Sequence, residues 1–455
     1  MKICHRAALN STGFACPLPR SQLSRATIAR PIACRSPSSP LENRPADILE
    51  KKKIGRPTVR HKRAASMPDS SGATVLNDLP VCLVADEILV RLSPKHVLRC
   101  RAVQKSWRAA TSTDKFILDN HRRQPSLPII QRHKAGLSRF AAAGDHKIWP
   151  VIRYTCHTVS DISVIHHAAC DGLLILSRES SFYICNPATR KCASLSHPPL
   201  RQGFSAATVV AFYRHQLSGE HRVLWAIYSA PMARGATVKP PAYFVLPVGS
   251  DQPRCVQWPT DLRNFPATRS SDCPPVHHRG GLHWALGLSI TVFDTVTETF
   301  RQMSHPAQLP GDMVLLFDLG GDLALRRTSG DCVTLDLWVL QDYDAETWAF
   351  RYRIDLRVME ASPPLNLSVE HVPMMAVING RELLIQHGPY RLLHCGIDGV
   401  FLGNVESKDH ENILSQFAKP LKLTRHRLQE SMISLPLFEK RQDDVNEEPP
   451  FTILL

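Results

Sequence analysis

The sequence lacks any apolar run that could cross a membrane. Its longest uninterrupted apolar stretches, such as residues 313–317, are far shorter than the ~20 residues that a transmembrane helix needs. We therefore expect a protein with no membrane-spanning segment and no membrane partner.

Motifs of catalytic sites are also missing. The chain has no GxSxG elbow, no phosphate-binding P-loop, no HExxH pair and no GxGxxG turn. The nearest approaches to a metal set lack a second paired spacing; they are His166 and His167 with Cys170, and His277 and His278 near Cys273. We expect a non-catalytic protein with no metal, no cofactor and no small-molecule substrate.

Cysteine pairing gives no sign of a secreted protein. The 13 cysteines are odd in number and contain no CxxC pair, which is typical of free thiols in a reducing compartment. We expect the protein in the nucleus, the cytoplasm or both.

Acidic residues are absent from positions 1–41, where five arginines stand among Ser, Ala and Pro. Residues 1–65 carry +11 of the total net charge of +14, so the remainder of the chain is nearly neutral. The composition of residues 1–41 suits an organelle-targeting peptide, and a disordered extension is the alternative that we favour. We predict a disordered basic tail over residues 1–72.

Two basic clusters within this tail suit a nuclear-import signal, because exposed cations can meet an acidic receptor groove. The Gly-Arg-Pro at residues 55–57 also resembles an AT-hook, which contacts the minor groove of A·T-rich DNA. A DNA- or chromatin-associated protein is therefore the alternative function, although we expect no nucleic-acid partner. The import candidates are Lys51, Lys52, Lys53, Arg56, Arg60, Lys62 and Arg63.

Helical periodicity begins abruptly after the tail. Apolar residues recur at three- to five-residue spacing from Leu79 to Leu92, which predicts one amphipathic helix starting near Pro80. Ser93 and Pro94 then suit the start of a second helix, since serine caps helices and proline fits their first turn. We predict a domain of three short helices over residues 73–122.

The pattern after residue 150 changes to the two-residue alternation of strands. An Asn or Asp followed three residues later by Thr recurs at Asn186, Asp294 and Asp344, with weaker units expected near Ser250 and Asp398. A period near 50 residues predicts propeller blades of four strands, of a kelch-like kind, with a β-sandwich as the alternative. We predict a linker over residues 123–150, an all-β propeller-like domain over 151–410 and an extension over 411–455. The fold class is thus α+β and multidomain.

The helical region resembles an F-box. The matching residues are 76–80 (LNDLP), 87–89 (EIL), 91–92 (RL), 94–95 (PK), 97–101 (VLRCR), Val103 and 105–108 (KSWR). The resemblance implies binding to a Skp-type adaptor, which connects F-box proteins to cullin and RING subunits. The residues that it assigns to the helix core and the adaptor face are Leu79, Pro80, Leu83, Ile88, Leu92, Pro94, Leu98, Val103 and Trp107.

The β region resembles the F-box-associated β-propeller domains of plants, most clearly those of grasses. The matches are residues 169–174 (ACDGLL), 183–190 (YICNPATR), 337–340 (LWVL) with Trp348, and 424–431 (TRHRLQES). Together the two resemblances imply a substrate receptor of an SCF-type ubiquitin ligase, which recruits an unknown protein substrate for ubiquitination and degradation.

Overall fold

The computed structural model describes residues 79–132, 136–140, 148–155, 164–200, 204–229, 241–259, 274–286, 289–306, 313–361, 364–365, 373–388, 391–405, 421–439 and 449–455. The predicted tail, over residues 1–72, lies outside these residues. The described chain starts with helices and continues almost entirely as antiparallel strands.

Four helical stretches precede the first strand. The first consists of an α-helical turn, α1 (Val81–Leu83), a π-helical turn (Val84–Ile88) and a 3₁₀ turn (Leu89–Arg91). It is followed by α2 (Pro94–Val103), α3 (Lys105–Thr111) and α4 (Asp114–Arg123). The helix α4 was not predicted. Its N-cap Thr113 accepts a hydrogen bond from the Phe116 amide at 3.3 Å, and its last turn carries three basic residues, which favour the negative end of the helix dipole.

The strands form a six-bladed propeller, which confirms the predicted propeller over the sandwich. Five blades use consecutive strands, and each blade is an antiparallel sheet of four. The first blade consists of β4 (Ile165–Cys170), β5 (Leu173–Arg178), β6 (Ser181–Asn186) and β7 (Lys191–Leu195), and the second of β8 (Phe204–Arg214), β9 (His221–Ser229), β10 (Ala242–Pro247) and β11 (Arg254–Val256). The third consists of β12 (Val276–His278), β13 (Gly281–Leu286), β14 (Ser289–Asp294) and β15 (Phe300–Met303), and the fourth of β16 (Met313–Leu319), β17 (Asp322–Thr328), β18 (Thr334–Asp342) and β19 (Thr347–Asp355). The fifth consists of β20 (Met374–Asn379), β21 (Glu382–His387), β22 (Arg391–Gly396) and β23 (Phe401–Asn404).

The sixth blade joins the two ends of the propeller region. Its strands, in spatial order, are β24 (Leu421–Gln429), β1 (Ser126–Arg132), β2 (Gly136–Phe140), β3 (Ile148–Tyr154) and β25 (Phe451–Ile453). Where the structure describes them, the predicted linker (123–150) and the predicted extension (411–455) therefore contribute strands of this blade. β24 pairs with β1 and β25 pairs with β3, and these partners are too distant in sequence for a local repeat to reveal them.

The predicted repeat reflects a turn that recurs between the third and fourth strands of a blade. Asn186 Oδ1 accepts from the amides of Ala188 (3.0 Å) and Thr189 (3.4 Å), and Asp294 makes the equivalent bonds with Val296 and Thr297, both at 2.8 Å. Such bonds close the hairpin by the side chain of the last strand residue.

The third repeat was placed two residues too late. Asp342, the last residue of β18, accepts from the amides of Asp344 and Ala345 at 2.9 Å, whereas Asp344 lies inside the turn. The chain offers an acidic residue at both positions, and only the end of the strand distinguishes them. The weak units expected at Ser250 and Asp398 do lie in the corresponding turns of their blades.

The core is divided into apolar layers between neighbouring blades. Between the first two blades, Phe182 packs edge-on against Trp225 with ring centroids 4.8 Å apart, within a cluster of buried aliphatic residues from both blades. Both faces of each blade are thus buried against its neighbours. If the ring were left open, one apolar face would be exposed on each side of the gap.

None of the helices in the described part is long and apolar enough to span a membrane. The eight cysteines in that part are all free thiols.

Burial of His167 predicts a specific acid sensitivity. The ring lies in the core beside Ser177, with Nε2 2.7 Å from its hydroxyl, and burial lowers the pKa of His167 to about 4. Since the unfolded value is ~6.5, the neutral ring stabilises the fold above that pH, and this contribution is lost as the pH falls towards 4. Between pH 7 and pH 4, His167→Gln should lose about 2–4 kcal/mol less stability than the wild type in urea titrations. The exposed control His96→Gln should follow the wild type, and equal losses in all three proteins would contradict this assignment.

The two equivalent turn residues Asn186 and Asp294 should differ in their contribution to stability. Both close a hairpin, but Asn186 is fully buried and its Nδ2 also donates to the carbonyls of Ser431 (3.1 Å) and Ile433 (2.9 Å). Asn186→Ala should cost about 2–3 kcal/mol and Asp294→Ala about 1 kcal/mol, because only the first change leaves buried carbonyls without donors. Urea unfolding midpoints measure the difference, and equal costs would show that the turn alone matters.

Candidate functional site

The first helical stretch has a buried side and an exposed side, and apolar residues five positions apart lie on the same side. Val84 and Leu89 are buried, as are Ala85 and Val90, whereas Leu83 and Ile88 are exposed. A five-residue spacing would drift around an α-helix, but the π-helical turn bonds the Leu89 amide to the Val84 carbonyl and so keeps each pair on one side. This local geometry leaves large apolar side chains in solvent.

The nine residues assigned to the core and adaptor face separate in the same way. Leu92, Leu98 and Trp107 pack against the small helical core, and Pro94 is buried. The other five are exposed, the large aliphatic ones by 38% to 77% of their surface: Leu79, Pro80, Leu83, Ile88 and Val103. The structure therefore places four of the nine on the buried or partly buried side of the helices and five at the surface.

The buried side of the helices rests on the propeller. Met432, just after the inner strand β24, lies in the same apolar cluster as Val97 and Phe116. The buried Asn120 donates through Nδ2 to the carbonyls of Val90 (2.9 Å) and Leu92 (2.8 Å), which lie at the end of the first helical stretch. These contacts hold the helices together and against the end of β24.

Polar contacts continue this junction. Gln429 Nε2, at the end of β24, donates to the carbonyls of His121 (2.9 Å) and Gln124 (3.0 Å) at the end of α4, where helix carbonyls lack their usual intrahelical donors. The His121 ring lies with Nδ1 3.1 Å from the carbonyl oxygen of Glu430. The end of α4 is thus fixed to the innermost strand of the closing blade.

Asp171 lies at the centre of this junction, in the turn between β4 and β5. Its carboxylate is 3.1 Å from Nε2 of His221 and 3.6 Å from Nε2 of His121. Burial alone would raise the pKa of Asp171, but the hydrogen bonds with His121 and His221 outweigh it and hold the pKa below its usual range. The carboxylate is therefore charged at neutral pH.

A cavity of about 370 Å³ opens beside Asp171 along the axis of the propeller. All six inner strands contribute to its wall, and opposite charges meet there, since Asp171 and Asp318 lie alongside Arg425 and Arg427. Arg427 itself donates to the carbonyls of Ser126, Val377 and Ile378, which connects β24 to the neighbouring blade.

The nuclear-import candidates, from Lys51 to Arg63, lie outside the described residues, so that assignment stays a prediction. Sequence reasoning missed Asn120, His121 and Met432, which join the helices to the propeller. No local pattern marks them, because each acts through a partner that is far away in sequence.

Comparison with known proteins agrees with this architecture. Residues 138–367 match the family model described as the F-box associated beta propeller domain. That segment covers strands from five of the six blades and half of the chain.

Individual relatives are distant but extensive. F-box protein At5g49610 of Arabidopsis thaliana is 24% identical over 294 residues, which cover 61% of this chain and 79% of that protein. F-box protein At5g10340 of the same plant is 24% identical over 366 residues, covering 70% and 78%. Among solved structures, apo AztD from Citrobacter koseri covers 66% of this chain and 97% of its own at 9% identity, with a TM-score of 0.33, which is too weak to bear on function. The family match over half of the chain, the propeller fold and these relatives show that the chain belongs to the plant F-box proteins that carry an F-box associated beta propeller domain.

Proposed function

We propose that this protein is the substrate receptor of an SCF-type cullin–RING ubiquitin ligase. Its helices, over residues 79–123, serve as the F-box that binds a Skp-type adaptor, and its propeller holds a protein substrate. The observation that carries the proposal is the set of large apolar side chains left exposed on the helices.

The exposure of these apolar side chains indicates a surface that binds a protein partner. Val103 is 77% exposed and Leu83 50% exposed, although the helices that carry them have a well-packed core on their other side. Leaving a leucine or valine in water forgoes about 1.5–3 kcal/mol relative to burying it. Exposed apolar groups concentrated on one small segment are typical of a protein–protein interface.

The surroundings of these residues suit the rim of such an interface. Asp86, Glu87, Arg91, Lys95 and Arg99 are all exposed on the same helices. Glu87 and Arg91 form an exposed ion pair at 2.9 Å, one helical turn apart. Charged groups at the edge contribute little affinity but favour one orientation and exclude other partners.

The junction between the helices and β24 gives the proposed receptor its mechanism. An adaptor on the outer side of the helices is held at a fixed position relative to the propeller, because their inner side is attached to the end of β24. A substrate on the propeller would then meet the conjugating enzyme's thioester at high effective concentration. The partner subunits supply all the covalent chemistry, and the chain itself is non-catalytic.

Charge in the exposed apolar set should weaken adaptor binding without unfolding the protein. Leu83→Asp combined with Val103→Asp should weaken binding of a purified Skp-type adaptor at least about tenfold, because a carboxylate would be buried unpaired in the interface. Isothermal titration calorimetry measures the affinity, and the thermal unfolding midpoint shows that the fold is retained. The control Leu217→Asp places the same charge at a 79% exposed leucine in the β8–β9 turn and should bind as the wild type does. Unchanged binding in the double variant would contradict the assignment of these residues.

The receptor role has its own test. Proteins that co-purify with the wild type and the double variant alike, with the proteasome inhibited, are candidate substrates; adaptor and cullin should be absent from the variant's purification. Ubiquitination of those candidates in a reconstituted ligase should require the wild-type helices. Equal ubiquitination with the double variant would contradict the proposed function.

A further inference from the structure

The carboxylate of Asp171 is surrounded by metal-binding groups from three parts of the fold. The Cys170 Sγ, a carboxylate oxygen of Asp171 and a ring nitrogen of His221 all lie within 4.8 Å of one another. His121 faces the same carboxylate from α4, with Nε2 3.6 Å from Oδ1. Neither its sequence position nor that of His221 suggested this grouping.

His121 extends this grouping on the side of α4. Its Nδ1 lies 3.1 Å from the carbonyl oxygen of Glu430, and its Nε2 faces the Asp171 carboxylate. A ring that contacts a backbone carbonyl through one nitrogen is held in a fixed orientation, which is the usual support of a metal-binding histidine.

The donor set favours zinc among the divalent cations. A thiolate, two imidazoles and a carboxylate are the ligands of tetrahedral zinc sites, whereas calcium and magnesium prefer oxygen atoms alone. With zinc–ligand distances of about 2.0–2.3 Å, ligand atoms lie roughly 3.3–3.8 Å apart, so the donors of Cys170, Asp171 and His221, which lie within 4.8 Å of one another, need to draw together by about 1 Å around an ion.

The axial cavity gives an ion access to the site. Its wall includes Cys170, Asp171 and His277, and binding of a metal would displace the thiol proton of Cys170. The alternative is an ion pair between protonated His121 and Asp171, with the Cys170 thiol hydrogen-bonded to the backbone of Arg214.

We propose that Cys170, Asp171, His221 and His121 bind one zinc ion at the base of the axial cavity. Cys170 and Asp171 come from the first blade, His221 from the second and His121 from α4, so the ion joins the helices to the propeller. The site does not depend on the proposed ligase function.

Metal content is the first test. Full-length protein produced in zinc-supplemented medium and purified without chelators should contain about one zinc per chain by mass spectrometry of the metal. Cys170→Ser and His221→Gln should each weaken zinc binding at least about tenfold, measured by competition with a chromophoric chelator. The control Cys192→Ser changes a partly buried thiol on β7 and should retain the metal.

Cobalt provides a second reading that does not depend on the folding of a variant. Metal-free wild type titrated with Co²⁺ should develop the intense near-ultraviolet band of a thiolate–cobalt bond, and zinc should abolish it. Chelator should lower the melting temperature of the wild type but not of Asp171→Asn. A zinc-free protein that shows no thiolate band and whose melting is insensitive to chelator would overturn the proposal in favour of the histidine–aspartate ion pair.

Discussion

The structure depends on the pairing of β24 with β1. This pairing brings a strand from near the end of the chain to the innermost position of the sixth blade, beside β1, β2 and β3 from before residue 155. Thr424 Oγ1 donates to the carbonyl of Ile129 at 2.7 Å, and Arg427 bonds both to Ser126 and to the neighbouring blade. Without this strand, the apolar sides of two blades would face solvent.

The same strand also determines where the helices lie. At the end of β24 and just beyond it, Gln429 and Glu430 bond to the end of α4, and Met432 packs in the helical core. The same segment therefore closes the ring of blades and attaches the helices to it. Because the helices use their inner side for this contact, their outer apolar residues are left available to a partner, on which the proposed receptor function is based.

The sequence revealed what is local. The propeller was recognisable because several blades repeat the same turn, and at Asn186 and Asp294 the side chain that closes the hairpin is visible in the sequence. At Asp342 the same logic failed, since a second aspartate two residues later fits the pattern equally well. The blade boundaries failed where the partners are distant in sequence, since β24 and β25 pair with β1 and β3.

The helices show a similar division. Their apolar positions could be identified from spacing, but the π-helical turn that places Ile88 outside and Leu89 inside could not. The contacts of His121 with Glu430 and Asp171 join residues that no sequence pattern connects. Tertiary partnership thus decides which of the predicted residues form the interior and which form a surface.

Hydrogen–deuterium exchange of the full-length protein, alone and with a purified Skp-type adaptor, tests the central claim most directly. The account predicts that the adaptor slows exchange in peptides covering residues 79–103 and leaves the strands of the propeller unchanged. Protection on the blades, or no protection of these helices at saturating adaptor, would contradict it.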